Sequence, residues 1–298
     1  MKLLPSLKQL EYLVALADFE HFGKASQRCN ITPSTLSVGI RDLENVLGVS
    51  LAERTKRTVL MTSIGTEIAA RARLVLRDAE DLMELAASNR EPMAGDMRLG
   101  VIPTISPFLL PRVLPALKAQ YPALRLYLRE EQSAPLLARL RGGEIDVALI
   151  ALPYGIDGLA SLAVFDDEFE FACDEHHALA NETVVTASAL ANEPLMLLEE
   201  GHCLRGHALD ACQLAHAPQR AQFEASSLHT LVQMVAAGIG VTLLPKLAIR
   251  AQITAGLNIK LVPLAFPAAR QIGLVWRESS LRSREFAMLG DVLSDLAK

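Results

Sequence analysis

The sequence predicts a multi-domain protein: an α-helical front end with a helix-turn-helix and a hairpin wing, a long linker helix, and an α/β body of two lobes. Three observations lead to this fold class. Short amphipathic helices separated by turn residues fill the first part of the chain. A helical pattern without proline follows over 63–90, and strand-like and helical runs alternate from Asp96 onward. With 298 residues the chain is long enough for two or three domains.

The first 48 residues have the pattern of a helix-turn-helix. In the first helix, apolar residues recur at helical spacing: Leu7, Leu10, Val14 and Ala17. A second short helix is predicted over 23–28. Thr32 is placed to cap the third helix, Pro33 suits its first turn, and Gly48 ends it. Helices in this order indicate a helix-turn-helix unit.

The third helix and the segment after it carry the residues that we expect to meet DNA. In residues 49–62 apolar and polar side chains alternate, and β-branched residues are frequent. This pattern predicts a small hairpin wing with Lys56 and Arg57 near its tip. Hydroxyls and an arginine on a recognition helix suit base edges and phosphates in the major groove, and basic wing residues suit backbone phosphates. The candidate DNA-binding residues are Thr32, Pro33, Ser34, Thr35, Ser37, Arg41, Arg54, Lys56 and Arg57.

Residues 63–90 are predicted to form one long linker helix. A heptad seam runs along it, made by Ile68, Ala72, Val75, Ala79, Leu82 and Ala86. Such a seam favours pairing with a second chain, and packing on the helix's own domain is the alternative. Pro92 and Gly95 then mark a linker. The predicted boundaries are 1–62 for the DNA-binding domain, 63–92 for the linker helix and 93–298 for the body.

The body is predicted to be α/β with mostly parallel sheets. The strand-like runs are Met97–Ile102, Leu124–Arg129, Ile145–Leu149, Phe169–Cys173, Pro194–Leu198, Gly240–Leu244 and Ile272–Trp276. Helical stretches separate most of them, including Phe108–Gln120, Ala134–Leu140, Leu228–Ala237 and Ser283–Leu296. A body of about 200 residues suits two lobes with a cleft between them. Lobe I is placed at about 93–165 and 268–298, and lobe II at about 166–267.

Charge and cysteine content narrow the class of protein. Residues 1–66 carry 8 Lys/Arg and 6 Asp/Glu, a net of +2, and the remainder carries 21 and 28, a net of −7. This asymmetry fits a nucleic-acid-binding end on an acidic body.

No apolar run reaches the ~18 residues of a membrane span. Charged residues interrupt the N-terminal stretch where a signal peptide would need an apolar run, so we expect a cytoplasmic protein without a membrane partner. Four cysteines are too few for a disulfide scaffold, and Cys29 and Cys173 are expected to be buried apolar residues.

Cys203 and Cys212 stand nine residues apart in a stretch that predicts a helix from about Cys203 to Ala215. Nine helical residues separate two backbones by roughly 13 Å, whereas a disulfide requires Cα atoms within about 7 Å. The two thiols can therefore bond only if the helix opens, which makes oxidation a change of shape. Zinc is the alternative, because His207 and His216 give each cysteine a Cys-x3-His spacing. The two pairs lie on opposite faces of a continuous helix, so we predict neither a metal site nor a cofactor.

The front end resembles the LysR-type transcriptional regulators. The matching elements include Phe22-Gly23-Lys24-Ala25-Ser26, Thr32-Pro33-Ser34-Thr35-Leu36-Ser37, Ile40-Arg41-Asp42-Leu43-Glu44 and Leu47-Gly48. The body resembles the periplasmic-binding-protein-like effector domain of that family, so that the resemblance covers essentially the whole chain. It implies that the chain is not an enzyme, that double-stranded operator DNA and RNA polymerase are its partners, and that it forms a homo-oligomer, commonly a dimer of dimers.

The stretch from Leu197 to Arg205, with Cys212 beyond it, resembles the sensor segment of the peroxide-responsive members of that family. The resemblance implies that hydrogen peroxide is the signal, with Cys203 as the peroxidatic and Cys212 as the resolving cysteine. Their pattern has threonine where this chain has Ser133, which keeps the hydroxyl. The side chains that the resemblance assigns to positioning peroxide are Thr104, Ser133, His202, Arg205 and Arg270.

The chemistry of Cys203 fits that implication. A thiolate attacks a peroxide oxygen and becomes a sulfenic acid, and a helix N-terminus with His202 and Arg205 nearby favours the thiolate. Glu199 and Glu200 disfavour the thiolate if they face the sulfur.

The predicted function is a peroxide-sensing regulator of oxidative-stress genes. Two alternatives remain: a LysR-type regulator that binds a small metabolite in the cleft, and a thiol peroxidase.

Overall fold

The computed structural model describes residues 4–54, 59–86, 92–211 and 224–297. Its contacts divide the chain into two compact units. The first comprises residues 1–90 with 141–144, and the second comprises 91–140 with 145–298. Among the described residues, no helix is both long and apolar enough to cross a membrane.

The first unit is a cluster of helices with one hairpin. Its elements are α1 (Leu7–Phe19), α2 (Phe22–Arg28), α3 (Pro33–Leu47), β1 (Ala52–Arg54), β2 (Val59–Met61) and α4 (Ser63–Ala86). Each of the first three helices begins at a side-chain cap, namely Ser6, His21 and Thr32, which satisfies amide groups that have no partner inside the helix. The core between them contains fully buried aliphatic side chains: Leu13, Leu16, Leu36, Ile40 and Leu43.

The hairpin is held against the end of α3. The Leu51 amide donates to Glu44 Oε1 at 2.8 Å, and the Thr62 hydroxyl donates to the Ser50 carbonyl at 2.9 Å. Gly65 approaches the Leu51 carbonyl so closely that a Cβ there would overlap it. The antiparallel pair β1–β2 therefore has a fixed base next to the recognition helix.

The helix α4 presents two different faces to its surroundings. Ala69 and Ala72 are buried in the core of the first unit, where α4 packs against α1. Beyond them Val75, Leu82 and Met83 are 46%, 66% and 76% exposed. Of the predicted heptad seam, Ile68 and Ala72 thus pack on their own domain, whereas Val75 and Leu82 are left exposed.

The second unit is built on a seven-stranded sheet in the order β10-β6-β11-β5-β3-β4, with β9 also paired to β6. The strands are β3 (Gly95–Val101), β4 (Leu124–Glu130), β5 (Val147–Leu152), β6 (Leu159–Asp174), β7 (Leu197–Leu198), β8 (Glu224–Ala225), β9 (Thr242–Pro245), β10 (Ile259–Pro263) and β11 (Ala269–Arg277). The helices are α5 (Ser106–Gln120), α6 (Ser133–Arg141), α7 (Ala187–Leu190), α8 (Cys203–Ala211), α9 (Leu228–Ala236), α10 (Lys246–Arg250) and α11 (Ser283–Ala297). The strands β7 and β8 form a separate parallel pair.

The prediction of mostly parallel sheets is wrong. In the main sheet only β3–β4 and β3–β5 are parallel among the described strands, and the pairs that involve β6, β9, β10 and β11 are antiparallel. Parallel neighbours require a crossover, which α5 and α6 provide. β10 and β11 both run antiparallel to β6, so β11 continues in the direction of β10 and runs against both of its own neighbours, β6 and β5.

The long strand β6 belongs to two regions of the sheet. Its residues 159–168 pair with β11, and its residues 169–174 pair with β9 and β10. The first region also contains β3, β4 and β5. Residues at the change of partner, around Asp167 and Glu168, therefore stand where the two regions meet.

Candidate functional site

Cys203 is the first residue of α8 and is partly buried against the core of the second unit. The chain reaches it from β7 through a turn at Gly201, whose φ of +97° favours glycine. Leu204 and Ala208 are buried on one side of the helix, and α8 packs against β7 and β11. The sulfur therefore lies at the positive end of a helix that a few apolar side chains anchor.

Two basic residues flank Cys203. The Arg205 guanidinium folds back over the turn, with Nη1 donating to the Leu198 carbonyl at 3.2 Å. His202 is buried, and its Nε2 lies 3.9 Å from Glu199 Oε1. The Glu199 carboxylate thus faces His202, and Glu200 is exposed.

A buried network surrounds Arg270, which is 1% exposed. Its Nη1 donates to Thr104 Oγ1 at 2.8 Å, and its Nη2 donates to the Thr104 carbonyl at 2.9 Å. On the other side, Nε and Nη2 donate to Asp167 Oδ2 at 3.1 and 2.9 Å. The second oxygen of that carboxylate, Oδ1, accepts the Leu247 amide at 2.9 Å. Two residues assigned to positioning peroxide, Thr104 and Arg270, are therefore directly joined.

Ser133 begins α6 and is 1% exposed. Within the described part of the chain, its Oγ has no hydrogen-bond partner. The preceding residue, Gln132, packs on Gly201 so tightly that a Cβ at position 201 would overlap its side-chain amide. This contact brings the start of α6 next to the turn that leads into Cys203. A buried hydroxyl with spare bonding capacity at a helix N-terminus is suited to a small polar molecule.

A cavity of about 230 Å³ lies beside these residues. Its lining is formed by Pro103, Thr104, Pro107, Glu130, Leu198, His202, Ser227, Leu228 and His229. Of the five predicted positioning residues, Thr104 and His202 line this cavity, whereas Ser133, Arg205 and Arg270 lie outside its lining. The geometry joins Arg270 to the cavity through Thr104, and Arg205 to the turn before Cys203.

Sequence reasoning missed Asp167. The signal that could have revealed it was the run Asp166-Asp167-Glu168, three consecutive carboxylates in the middle of β6. Of these three residues, Asp167 is directed inward and is 3% exposed. Alternation along a strand places every second residue on the same face. Because the prediction began this strand at Phe169, it left Asp167 in a loop and gave it no partner.

Part of the predicted sensor lies outside the described residues. Cys212 follows the last residue of α8, Ala211, and it lies outside them together with His216. Both the cysteine pairing and the zinc alternative therefore remain predictions from the sequence. Among the described residues, no group of His, Cys, Asp and Glu side chains is arranged to hold a metal ion.

Most of the predicted DNA-binding residues of α3 lie at its start, and Arg41 lies in its third turn. Thr32 Oγ1 accepts the Thr35 amide at 3.2 Å and lies within hydrogen-bond distance of the hydroxyls of Ser34 and Thr35. These three residues, Pro33 and Arg41 are exposed, and Ser37 is half-buried. Arg54 ends β1, and Lys56 and Arg57 lie outside the described residues.

We expect iodoacetamide at pH 8 to alkylate Cys203 and to leave Cys173 unmodified in the folded protein. Burial, with Asp174 and Glu193 nearby, raises the pKa of Cys173 to about 11, so only about one thiol in a thousand is ionised at pH 8. Peptide mass mapping measures both sites, and the denatured protein, in which both are labelled, is the control. Labelling of Cys173 as rapid as that of Cys203 would contradict this account.

Comparisons with known proteins cover both units. Residues 7–66 match the model of the bacterial regulatory helix-turn-helix protein, lysR family, and residues 90–298 match the LysR substrate binding domain. The DNA-binding transcriptional dual regulator OxyR of Escherichia coli is 43% identical over 281 residues, which are 94% of this chain and 92% of that protein. The transcriptional regulator EstR of Acinetobacter baylyi is 40% identical over 297 residues, 98% and 97% of the two chains.

Solved structures give the same result. Full-length OxyR from Pseudomonas aeruginosa, in a cysteine-to-aspartate variant, matches with a TM-score of 0.84 at 36% identity, over 97% of this chain and 94% of that one. The reduced regulatory domain of OxyR2 from Vibrio vulnificus matches with a TM-score of 0.65 at 43% identity, over 70% and 98%. Both parts of the chain are those of a regulator, which removes the thiol peroxidase alternative. The chain belongs to the LysR family of bacterial helix-turn-helix transcriptional regulators.

Proposed function

We propose that this regulator senses hydrogen peroxide through Cys203 and reports it to a promoter. The observation that carries the proposal is the position of Cys203: it is the first residue of α8, and it follows the buried His202, which lines a cavity together with Thr104. The similarity to OxyR proteins over nearly the whole chain supports it. The sequence pattern around Cys203 and Cys212 points to the same cysteine.

The chemistry proceeds in two balanced steps. The Cys203 thiolate attacks one oxygen of H₂O₂, so that an S–O bond forms, the O–O bond breaks, and the departing hydroxide takes a proton and leaves as water. The Cys212 thiol then attacks the sulfenic sulfur, which forms the disulfide and releases a second water. In the first step, Thr104, Ser133, His202, Arg205 and Arg270 serve as the peroxide-positioning group.

The structural consequence follows from the length of α8. The helix runs from Cys203 to Ala211, a rise of about 12 Å, so the residue after it cannot meet Cys203 while the helix is intact. Formation of the disulfide therefore requires α8 to open and its buried Leu204 and Ala208 to leave their places. An oxidation at one sulfur is thereby converted into a rearrangement of the effector domain.

The remaining parts fit a cytoplasmic regulator of oxidative-stress genes. The exposed start of α3 enters the major groove of double-stranded operator DNA, and the β1–β2 hairpin acts as the wing that reaches the phosphates through Arg54, Lys56 and Arg57. The exposed apolar side chains of α4 pair with a second copy, in a dimer of dimers. The two sheet regions that meet in β6 are the two periplasmic-binding-protein-like lobes, and RNA polymerase is the partner that reads their rearrangement.

A regulator that binds a small metabolite is the second candidate, and the cavity beside Thr104 favours it. Its volume of about 230 Å³ exceeds what one peroxide molecule fills, although it lies below the range of about 300 to 1,000 Å³ that is usual for ligand pockets. One relative that matches over nearly its whole length, the transcriptional regulator EstR, is not named for peroxide. Titration of thiols before and after sub-stoichiometric peroxide separates the two candidates, because a metabolite regulator keeps both thiols.

Replacement of the attacking cysteine tests the proposal. We expect Cys203→Ser to abolish the response to peroxide and to leave DNA binding intact, because the serine hydroxyl is not nucleophilic at neutral pH. Intact-protein mass spectrometry should show that peroxide removes two hydrogens from the wild type, adds one oxygen to Cys212→Ser, and leaves Cys203→Ser unchanged. Cys29→Ser is the matched control and should respond like the wild type. A Cys203→Ser variant that still activates transcription with peroxide would refute the proposal.

Stabilisation of α8 should bias the switch towards the reduced form. Gly206 lies inside α8, and a Cβ at this position would meet no other atom of the described structure within 4 Å. Gly206→Ala should therefore stabilise the helix by about 1 kcal/mol, which lowers the equilibrium constant for disulfide formation about fivefold. Equilibration in glutathione buffers measures this constant.

Gly155→Ala adds the same methyl group in open space outside α8 and is the control. We expect its disulfide equilibrium to match that of the wild type. An unchanged or raised constant in Gly206→Ala would show that α8 does not open on oxidation.

Arg41 offers a test of the DNA-binding surface. It is exposed in the third turn of α3, where we expect it to contact a phosphate. Arg41→Ala should then weaken binding to a selected duplex and to a random duplex by similar factors, and should reduce the slope of log K against log[salt] by about one. Fluorescence anisotropy at several salt concentrations measures both. Lys8→Ala removes an equally exposed charge from α1 and should leave the slope unchanged.

A further inference from the structure

We propose that Asp167 is a positioning residue for peroxide reduction: it holds Arg270 so that the hydroxyl proton of Thr104 is directed at the oxygen that leaves. This inference rests on the proposed reaction of Cys203 with peroxide. It concerns a residue to which the peroxide-sensing pattern of the sequence assigned no role.

Asp167 fixes Arg270 from the side opposite Thr104. Its Oδ2 accepts from Nε and Nη2 of Arg270 at 3.1 and 2.9 Å, and its Oδ1 accepts the Leu247 amide at 2.9 Å. Both side chains are almost fully buried, at 0% and 2% exposure. A buried guanidinium without a carboxylate partner is strongly unfavourable, so Asp167 stabilises Arg270 at this buried place.

The hydrogen bond between Arg270 and Thr104 determines what the threonine hydroxyl can do. Arginine has no lone pair to accept a hydrogen bond, so at 2.8 Å Nη1 is the donor and Thr104 Oγ1 is the acceptor. The proton of the hydroxyl is thereby left for another oxygen. Thr104 lines the cavity that His202 shares, and His202 precedes Cys203, so the nearest reacting oxygens are those of a peroxide at Cys203.

A hydroxyl that accepts from a cation is a better donor, because the hydrogen bonds of a chain polarise one another. When the S–O bond forms and the O–O bond breaks, negative charge develops on the leaving oxygen. The Thr104 hydroxyl stabilises that charge by hydrogen bonding, and the oxygen leaves as water after taking a proton from solvent. Asp167 touches neither the sulfur nor the peroxide, and it acts only through Arg270.

The experiment compares peroxide with a reagent that needs no such donor. Alkylation of Cys203 by iodoacetamide expels iodide, which requires no proton. We expect Asp167→Asn to lower the second-order rate constant of Cys203 oxidation by H₂O₂ at least tenfold, as is found when a transition-state donor is misplaced, and to change the alkylation rate less than twofold. Thr104→Val should show the same selective loss, and the double variant should lose no more than the larger single loss.

Asp167→Glu is the conservative control, since it keeps the carboxylate and should recover part of the peroxide rate. If Asp167→Asn does not fold, as judged by thermal melting, Arg270→Lys replaces it, because lysine keeps the ion pair but loses the fork that reaches Thr104. Its expected result is the same selective loss of peroxide rate.

Equal losses in peroxide and iodoacetamide rates, or no loss in either variant, would overturn the role of Asp167. A wild-type Cys203 that peroxide does not oxidise would instead overturn the proposed function. The two failures are therefore distinguishable in one set of measurements.

Discussion

The buried ion pair between Arg270 and Asp167 is the interaction on which the arrangement of the site depends. Removing two charges from water costs several kcal/mol for each ion, and the pair offsets this cost through the hydrogen bonds around it. Arg270 is bonded to the loop at Thr104, and Asp167 is bonded to the amide of Leu247 at the start of α10. Three segments that are distant in sequence are thus fixed by one charged group, and the cavity beside Cys203 takes its shape from one of them.

Local signals allowed much of the fold to be predicted from the sequence. Thr32 and Gly48 bound α3 as expected from capping chemistry, and four helices of the body, α5, α6, α9 and α11, begin and end within two residues of their predicted ends. The first half of β6 was missed because Asp166, Asp167 and Glu168 are typical of an exposed loop, and their inward member is explained only by a partner about 100 residues later. The direction of β11 was also missed, since strand pairing is a long-range property that periodicity does not encode. For the site, the chemistry of Cys203 was readable, but the network behind Thr104 was not.

The stability of α8 and its function place opposite demands on the same residues. Leu204 and Ala208 anchor the helix, yet Gly206 in its interior lowers its helical propensity. A helix of nine residues is marginal by itself and depends on its packing. Such a segment belongs to the low-stability end of a structure, from which parts that rearrange in a switch are drawn.

The strand β6 has a mechanical consequence for the effector domain. Sixteen consecutive residues form one strand that is hydrogen-bonded to β11 at one end and to β9 and β10 at the other. No loop interrupts the strand. A rotation of one sheet region relative to the other would therefore change the twist of β6. Twist in a β-strand is elastic and has a preferred hand. Because both regions share the backbone of β6, any change in the twist of this strand alters the orientation of one region relative to the other.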